Sequence, residues 1–400
     1  MNRVIFLVDM NAFFISCELT RRPELREKPS AVAGDPKKRT GIILAANYEA
    51  RKSGVKTAMV IHEALKLCPG LNLVPPDHTF YEKKSREVMD ILSCYTPLLE
   101  QNSIDEAWLD MTGCEELFGA PQKSAANIME RIKNELGLWC SIGISENKFL
   151  SKMASEMKKP LGITELFVKD IEFKLWPLPV ENMYGIGRQT ANKLHDMGIF
   201  TIGELARFNP QHLKDKLGKS GAEIHLRANG IDAAPVVPHS NNDMKSIGRS
   251  LTFARDVLDI EDAKSKIMEL SEEVGMTARK YGKKGRTVQI TIKYSDFKVI
   301  TRQATIPATY LSKDIASTGI ELMKRNWDNK RPVRLLGISL CGFGEDLAAD
   351  QVSIFNMTET NLKNDREEKL EKAMDKIREK FGTSKISRAV LLKRDEVPKD

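Results

Sequence analysis

An aspartate and an acidic pair far apart in the sequence pose the chemical question. Asp9 closes the apolar run Val4 to Val8, and Asp105-Glu106 lies inside Ser103-Ile104-Asp105-Glu106-Ala107-Trp108-Leu109-Asp110. A carboxylate beside apolar strands costs several kcal/mol unless a cation or hydrogen bonds compensate it. One Asp from one strand and an Asp-Glu pair from another can chelate two divalent ions. Two ions about 3.5–4 Å apart stabilise the attacking and leaving oxygens of an in-line phosphoryl transfer. Adjacent side chains on a regular strand point to opposite faces. Asp105 and Glu106 can therefore serve one site only if the backbone turns or bulges there, and Gln101-Asn102-Ser103 just upstream supplies residues for it. The competing reading is that these are strand-end acids that face water or cap a neighbouring helix. The six histidines and six cysteines form no HxxxH, HxH or CxxC spacing. That argues against zinc and for an oxygen-bound magnesium or manganese, with the thiols reduced and buried.

Cations and aromatics accompany the acids. Tyr48 and Arg51, in Asn47-Tyr48-Glu49-Ala50-Arg51-Lys52, share a face if that segment opens a helix. A phenol and a guanidinium there, with the helix N-terminus, can grip triphosphate oxygens. Lys158-Lys159-Pro160 can add another cation. On residue type alone the commoner fate is a surface ion pair from Arg51 to Glu49 or Glu82. Phe13 and Phe14 follow Asp9 closely and read as core or as a platform under a sugar ring, with core favoured by aromatic burial statistics.

These residues need elements to position them. Val4 to Val8, Ile42 to Ala46, Ala107 to Met111 and Cys140 to Ile144 read as strands, interleaved with helices, so the first 170 residues are α/β or α+β. Phe173 to Ile231 reads as a small all-helical domain. Within it, Tyr184-Gly185-Ile186-Gly187-Arg188, then Gly198-Ile199 and Thr201-Ile202-Gly203, has the pattern of a helix-hairpin-helix, which grips DNA backbone through free N–H groups without reading bases. Its bland alternative is an ordinary αα-hairpin. Ala233 to Asn242 reads as a linker. Beyond it Thr287 to Tyr294 alternates strictly, Ile300 to Ile306 and Val333 to Cys341 read as strands, and Ile260 to Lys280 as an amphipathic helix. Asp243 to Glu345 carries 19 Lys and Arg against 13 Asp and Glu, nearly the whole surplus of a chain whose net charge is +7. A half-buried sheet with a polar, basic outer face can lie along a phosphate backbone. The last 40 residues hold one helical stripe, Leu370, Met374, Ile377 and Phe381.

Length and composition bound the answer. The 400 residues, 41% hydrophobic and 29% charged, predict two to four domains and exclude disorder over most of the chain. Val4 to Val8 is far short of the roughly 18 residues a bilayer span needs, and too short for a signal-peptide core. The expectation is a cytoplasmic protein without a membrane segment.

In order along the chain, Val8-Asp9-Met10-Asn11-Ala12-Phe13-Phe14, Ala46-Asn47-Tyr48-Glu49-Ala50-Arg51, Ser103 to Asp110, Gly143-Ile144-Ser145-Glu146-Asn147-Lys148 with Lys152, Lys159-Pro160-Leu161-Gly162, the Gly-Ile-Gly hairpin and Lys245-Ser246-Ile247-Gly248-Arg249 resemble a Y-family DNA polymerase of the bacterial DNA polymerase IV type. The resemblance covers about residues 3 to 345. It implies an α+β multidomain, right-hand polymerase: palm (1–10 and 77–169), fingers (11–76), a helix-hairpin-helix thumb (170–232), a linker (233–242) and a C-terminal α/β little finger (243–345), then a tail (346–400).

By motif match, Asp9, Asp105 and Glu106 become the catalytic acids, and with the Met10 carbonyl they hold two Mg2+, for which Mn2+ can substitute. Tyr48, Arg51 and Lys159 become the triphosphate clamp, with Phe13 alongside. Phe14 becomes a gate whose ring collides with a ribose 2′-OH. The bland readings of Tyr48, Arg51 and Phe14 are thereby reversed. Gly185, Gly187, Arg188, Ser246, Gly248 and Arg249 become contacts to primer-template DNA. The implied activity is template-directed addition of dNTPs to a primer 3′-OH, with low fidelity and synthesis past damaged template bases, by a bacterial cytoplasmic monomer. Ile42 and Leu44 are bulkier than the residues some members carry over the nascent pair. Gln351, Ile354 and Phe355, in Gln351-Val352-Ser353-Ile354-Phe355, resemble the peptide that bacterial polymerases insert into the sliding clamp. The rivals are another two-metal enzyme, such as a cyclase or nuclease, and a non-catalytic DNA-bound or clamp-bound paralogue. The last predicts a broken acidic triad, whereas all three acids are present.

Overall fold

The computed structural model describes residues 3–35, 41–238, 244–328, 330–344, 357–382 and 385–386, with side chains of the final helix from residue 366 onward. These residues form two compact units, one ending at 238 and one beginning at 244.

In chain order the first unit contains β1 (Ile5–Met10), α1 (Phe13–Arg21), β2 (Ser30–Ala33), β3 (Ile43–Ala46), α2 (Tyr48–Lys52), α3 (Ile61–Leu67), β4 (Asn72–Val74), α4 (His78–Ser93), β5 (Leu99–Gln101) and β6 (Glu106–Asp110). It continues with α5 (Glu115–Phe118), α6 (Pro121–Leu136), β7 (Cys140–Ser145), α7 (Lys148–Met157) and β8 (Ile163–Glu165). Five helices complete it: α8 (Ile171–Lys174), α9 (Arg188–Asp196), α10 (Ile202–Arg207), α11 (Pro210–Leu217) and α12 (Lys219–Ala228). The helical character expected from Phe173 to Ile231 is present. The short strands β2, β4, β5 and β8 were not foreseen, because segments of three or four residues carry too little periodicity to separate from loop.

The central sheet has the order β5-β6-β1-β7-β8. All six residues of β1 are buried. A strand covered on both faces needs a continuous apolar run, and Ile5 to Val8 provides it up to Asp9. Helix α7 packs on β1 and β7, and Gly143 of β7 lets it come close. A Cβ at Gly143 would lie 2.0 Å from the Ser151 carbonyl oxygen and 2.5 Å from the Ser155 nitrogen, both backbone atoms of α7. The α7 N-terminus is capped by Asn147, whose side-chain oxygen accepts from the Leu150 N–H at 2.8 Å. A smaller sheet, β3-β2-β4, has its own core around Ala31, Ile43, Ile61 and Leu71. Residues 231–238 lie outside any helix or strand; within them Val236 is buried against Ile5, Leu7 and Trp108.

The second unit contains β9 (Ser246–Val257), α13 (Ile260–Lys280), β10 (Gly285–Tyr294), β11 (Val299–Thr309), α14 (Ser312–Asn326), β12 (Val333–Cys341) and α15 (Met357–Phe381). Its antiparallel sheet, β11-β10-β12-β9, buries Val288, Ile290, Ile292 and Tyr294 in the core it shares with α13 and α14. The expected alternation holds, and Gln289, Thr291 and Lys293 lie on the other face. Edge strand β9 was read only as a motif, because its mixed polarity blurs the period.

The tail helix docks by charge. Arg279 of α13 donates to Asp375 at 2.6 Å and to Glu371, Arg378 donates to Glu272 at 2.6 Å, and Glu368 accepts from Lys284 at 2.6 Å. Positions 368, 371, 375 and 378 share one face at helical spacing. Leu370, Ile377 and Phe381 are exposed, so the stripe read from the sequence is not the packed face. Among the described residues no helix is long and apolar enough to cross a membrane.

Replacing Gly143 with alanine forces α7 off the sheet. The G143A variant is expected to lose about 3 kcal/mol or more of stability, the cost of overpacking against backbone, read as a lowered urea midpoint by circular dichroism.

Candidate active site

The acidic residues sit at one end of the central sheet. Asp9 and Glu106 are directly opposite each other in the antiparallel pairing of β1 with β6. Asp105 lies in the bend just before β6, which is how neighbouring residues escape the strand's alternation. The Met10 N–H donates to the Asp105 carbonyl at 2.9 Å, and the Asp105 carboxylate accepts from the Ser103 hydroxyl at 2.5 Å. Glu106 accepts from the Asn102 amide. The Gln101 amide donates to the Ser103 carbonyl at 2.9 Å, so the turn expected from Gln101-Asn102-Ser103 is built from the side chains of all three residues.

A buried lysine ties the strands together. Lys152, on α7, is 8% exposed, and Asp9 and Glu106 are 7% and 9% exposed. Its Nζ donates to Asp9 Oδ2 at 3.0 Å, Glu106 Oε2 at 2.6 Å and Glu156 Oε1 at 2.9 Å. Lys159 Nζ donates to the other Asp9 oxygen at 2.8 Å and to Glu156 at 3.0 Å. Asn11, buried, accepts from the Leu161 N–H at 2.9 Å and donates to the Ser141 hydroxyl at 3.0 Å, which fixes the loop after Lys159 to the end of β1.

Charge balance decides what this cluster can accept. Burial pushes the Asp9 carboxyl above its ordinary range, and Lys152 and Lys159 offset only part of that. Glu156 is also desolvated, but the same two lysines outweigh burial and hold it below its ordinary range. Burial opposes the charge on Lys152, yet Asp9, Glu106 and Glu156 prevail and raise it. Asp9 thus remains under-compensated, and a further cation would relieve it. Asp9, Met10, Asp105 and Glu106 line one cleft of about 360 Å³. Among the described residues no three acidic, His or Cys side chains are already gathered into a metal cage. In donor chemistry the residues nonetheless fit a hard divalent ion: carboxylate oxygens, desolvated, with no soft ligand.

The opposite wall is α2. Asn47 caps it, accepting from the Ala50 N–H at 2.9 Å and the Ser30 N–H at 3.0 Å. The Arg51 guanidinium carbon lies 5.1 Å from the Tyr48 ring centroid, and Arg51 Nε donates to the Ala46 carbonyl at 2.9 Å. Glu49 pairs with Lys52 instead, so the surface ion pair to Glu49 weighed against this reading does not form. Among the described residues the buried Tyr48 hydroxyl has no hydrogen-bond partner. Phe14 stacks on Tyr81 at 4.6 Å and meets His78 edge-on at 5.7 Å. Phe13 is buried in the core while still bordering the cleft. Leu44 lines the same cleft, and Ile42 is exposed.

The residues read as DNA contacts fall in two places. Gly185 has φ +91° and Gly187 caps α9, which Arg188 begins, so these two glycines form the turn that enters α9, while Gly198, φ +78°, lies in the turn between α9 and α10. Ser246 and Gly248 lie on the open face of β9. Arg249 stands opposite the buried Ile338 and reaches α13, 3.3 Å from Glu273. Gln351, Ile354 and Phe355 lie outside the described residues.

A central sheet carrying paired acids, a helical hairpin module and a separate four-stranded module define the class as a template-dependent polymerase fold. The comparisons then specify it. The model described as impB/mucB/samB family matches residues 8–156, its C-terminal domain matches 244–354, and the model of a DNA polymerase-iota thumb domain matches 181–232. The chain is 64% identical to DNA polymerase IV of Clostridium kluyveri, over 99% of this chain and 100% of that one. It is 57% identical to DNA polymerase IV of Alkaliphilus oremlandii, over 98% and 100%. A solved Y-family DNA polymerase chimera, Dbh-Dpo4(243-245)-Dbh, superposes with a TM-score of 0.75 at 25% identity, over 85% of this chain and 99% of that one. The chain belongs to the DNA polymerase IV group of the Y family and is a DNA-directed DNA polymerase.

Lys152 and Asn11 were quoted only as parts of motifs, and Glu156 was given no role. The spacing Lys152-x3-Glu156 is the signal that could have found Lys152 and Glu156, since it puts opposite charges one turn apart on one face of α7, with Lys159 just beyond the helix end. Replacing Lys152 with methionine leaves Asp9 and Glu106 facing each other across an apolar group. The K152M variant is expected to lose about 3 kcal/mol in metal-free buffer, the low end for breaking a buried ion pair because Lys159 remains, measured by urea unfolding.

Proposed function

We propose that this cleft extends a DNA primer along a template by two-metal-ion nucleotidyl transfer. The observation that carries the reading is that Asp9 and Glu106, nearly a hundred residues apart, share one buried ammonium at the mouth of a cleft whose far wall is Tyr48 and Arg51. Asp9, Asp105, Glu106 and the Met10 carbonyl are the groups that would hold two Mg2+. Bound there, the ions would supply charge to the attacking 3′-oxygen and the leaving phosphate.

The chain's own residues do the remainder. Lys152 keeps Asp9 and Glu106 together, so the carboxylates are assembled before substrate arrives. Tyr48, Arg51 and Lys159 bind the triphosphate, and the buried unpartnered phenol of Tyr48 gains a phosphate oxygen as its acceptor. Phe14 is stiffened by Tyr81 and His78, so it meets a 2′-hydroxyl as a wall rather than a movable side chain. Gly185, Gly187 and Arg188 offer a backbone-phosphate grip, and Ser246 and Gly248 contact DNA from the open face of β9, while Arg249 reaches DNA only by leaving Glu273 on the other face. Sequence information comes from the template, which suits low-fidelity synthesis past damaged bases in the bacterial cytoplasm. The peptide Gln351 to Phe355 is proposed to engage the sliding clamp.

Primer extension tests the assignment. D9N and E106Q are expected to lower single-nucleotide incorporation on the order of a thousandfold, as loss of several kcal/mol of transition-state stabilisation requires, with primer-template affinity retained. Incorporation within tenfold of the parent by either variant removes these acids from catalysis. F14A is expected to admit ribonucleotides, scored as the ratio of rNTP to dNTP incorporation; an unchanged ratio excludes the gate.

A further inference from the structure

Behind Tyr48 lies a second cleft, of about 370 Å³. It shares Ala12 and Tyr48 with the candidate active-site cleft, so the two clefts adjoin at these residues. Ala12 holds a left-handed backbone at φ 49°, a conformation that costs a non-glycine residue about 1 kcal/mol and recurs where function shapes the chain. The outer wall carries Arg26, after α1, Lys133, in the last turn of α6, and Trp139, just before β7. Among the described residues no hydrogen bond or ion pair engages the side chain of Arg26 or Lys133. Among the described residues the one carboxylate lining this cleft, Glu49, pairs with Lys52 at 2.8 Å.

We infer that this cleft is the route by which pyrophosphate leaves, with Arg26 and Lys133 as a transient anion site. The inference rests on the proposed reading of the first cleft. In that reading the terminal phosphates sit against Tyr48, on the face opposite the acids. Once the bond from the α-phosphorus to the bridging oxygen breaks, pyrophosphate carries that electron pair and lies against Tyr48, where the two clefts adjoin. Two unpaired cations just beyond it draw a multiply charged anion outward, because like-signed charge along a cleft focuses the field there.

The test uses the full chain and inorganic pyrophosphate as the probe. Pyrophosphorolysis runs the same route inward: a pyrophosphate oxygen attacks the terminal phosphodiester, releasing dNTP and a primer one nucleotide shorter. The double variant R26A/K133A is expected to raise the KM for pyrophosphate about tenfold while the dNTP KM changes less than threefold. A control pair distant from the cleft, K66A/K123A, is expected to change neither. Equal shifts in both KM values, no shift in the pyrophosphate KM, or a matching shift in the control pair overturns the inference. Trp139 supplies a readout without turnover: pyrophosphate is expected to change the indole emission of the DNA-free protein, with the change lost in W139F and in R26A/K133A. An emission change that persists in R26A/K133A also overturns it. Because this titration needs no catalysis, failure of the acid assignment and failure of the exit cleft are separately visible.

Discussion

The buried ammonium of Lys152 is the constraint on which the rest of the first unit depends. A lysine and two carboxylates, each more than nine-tenths buried, are tolerable only together, since removal of any one leaves an uncompensated charge in a poorly solvated place. The cluster joins three elements that the chain makes at separate times: β1, β6 and α7. It therefore acts as a register check on the sheet end where the chemistry is proposed to occur.

The scaffold is arranged to make that cluster unavoidable. An all-buried β1 cannot slide without exposing Ile5 to Val8, so Asp9 is delivered to the sheet end opposite Glu106. Gly143 lets α7 settle onto the sheet closely enough for Lys152 to reach between the two acids. Asp105 is set off by a side-chain-bonded bend rather than by the strand itself, so two neighbouring acids serve one cleft. On the far wall the Asn47 cap fixes where α2 begins, and thereby where Tyr48 and Arg51 point.

Legibility in the sequence followed the strength of local signals. Helix Ile260–Lys280 and strand Val333–Cys341 were readable to the residue because period and length agreed. The three acids could be singled out by type and spacing, but family resemblance was needed to prefer their functional reading, as it was for Tyr48, Arg51 and Phe14. Lys152 was hidden because a lone lysine in a helix looks like surface until the sheet beneath it is known. The docked face of α15 was hidden for a related reason: its contacts are Glu368, Glu371, Asp375 and Arg378, so a search for an apolar stripe selects the exposed side. Arg249 lies toward α13, a placement that depends on register with Ile338 and on no property of its own neighbours.

The central claim is that Asp9 and Glu106, brought together around Lys152, belong to a site for divalent cations. Manganese counted by electron paramagnetic resonance, in a complex with a non-extendable primer-template and dNTP, tests it most directly. The account predicts two tightly held ions per chain and a loss of at least one in the variant carrying asparagine at position 9. Two ions held with undiminished affinity in that variant would contradict it.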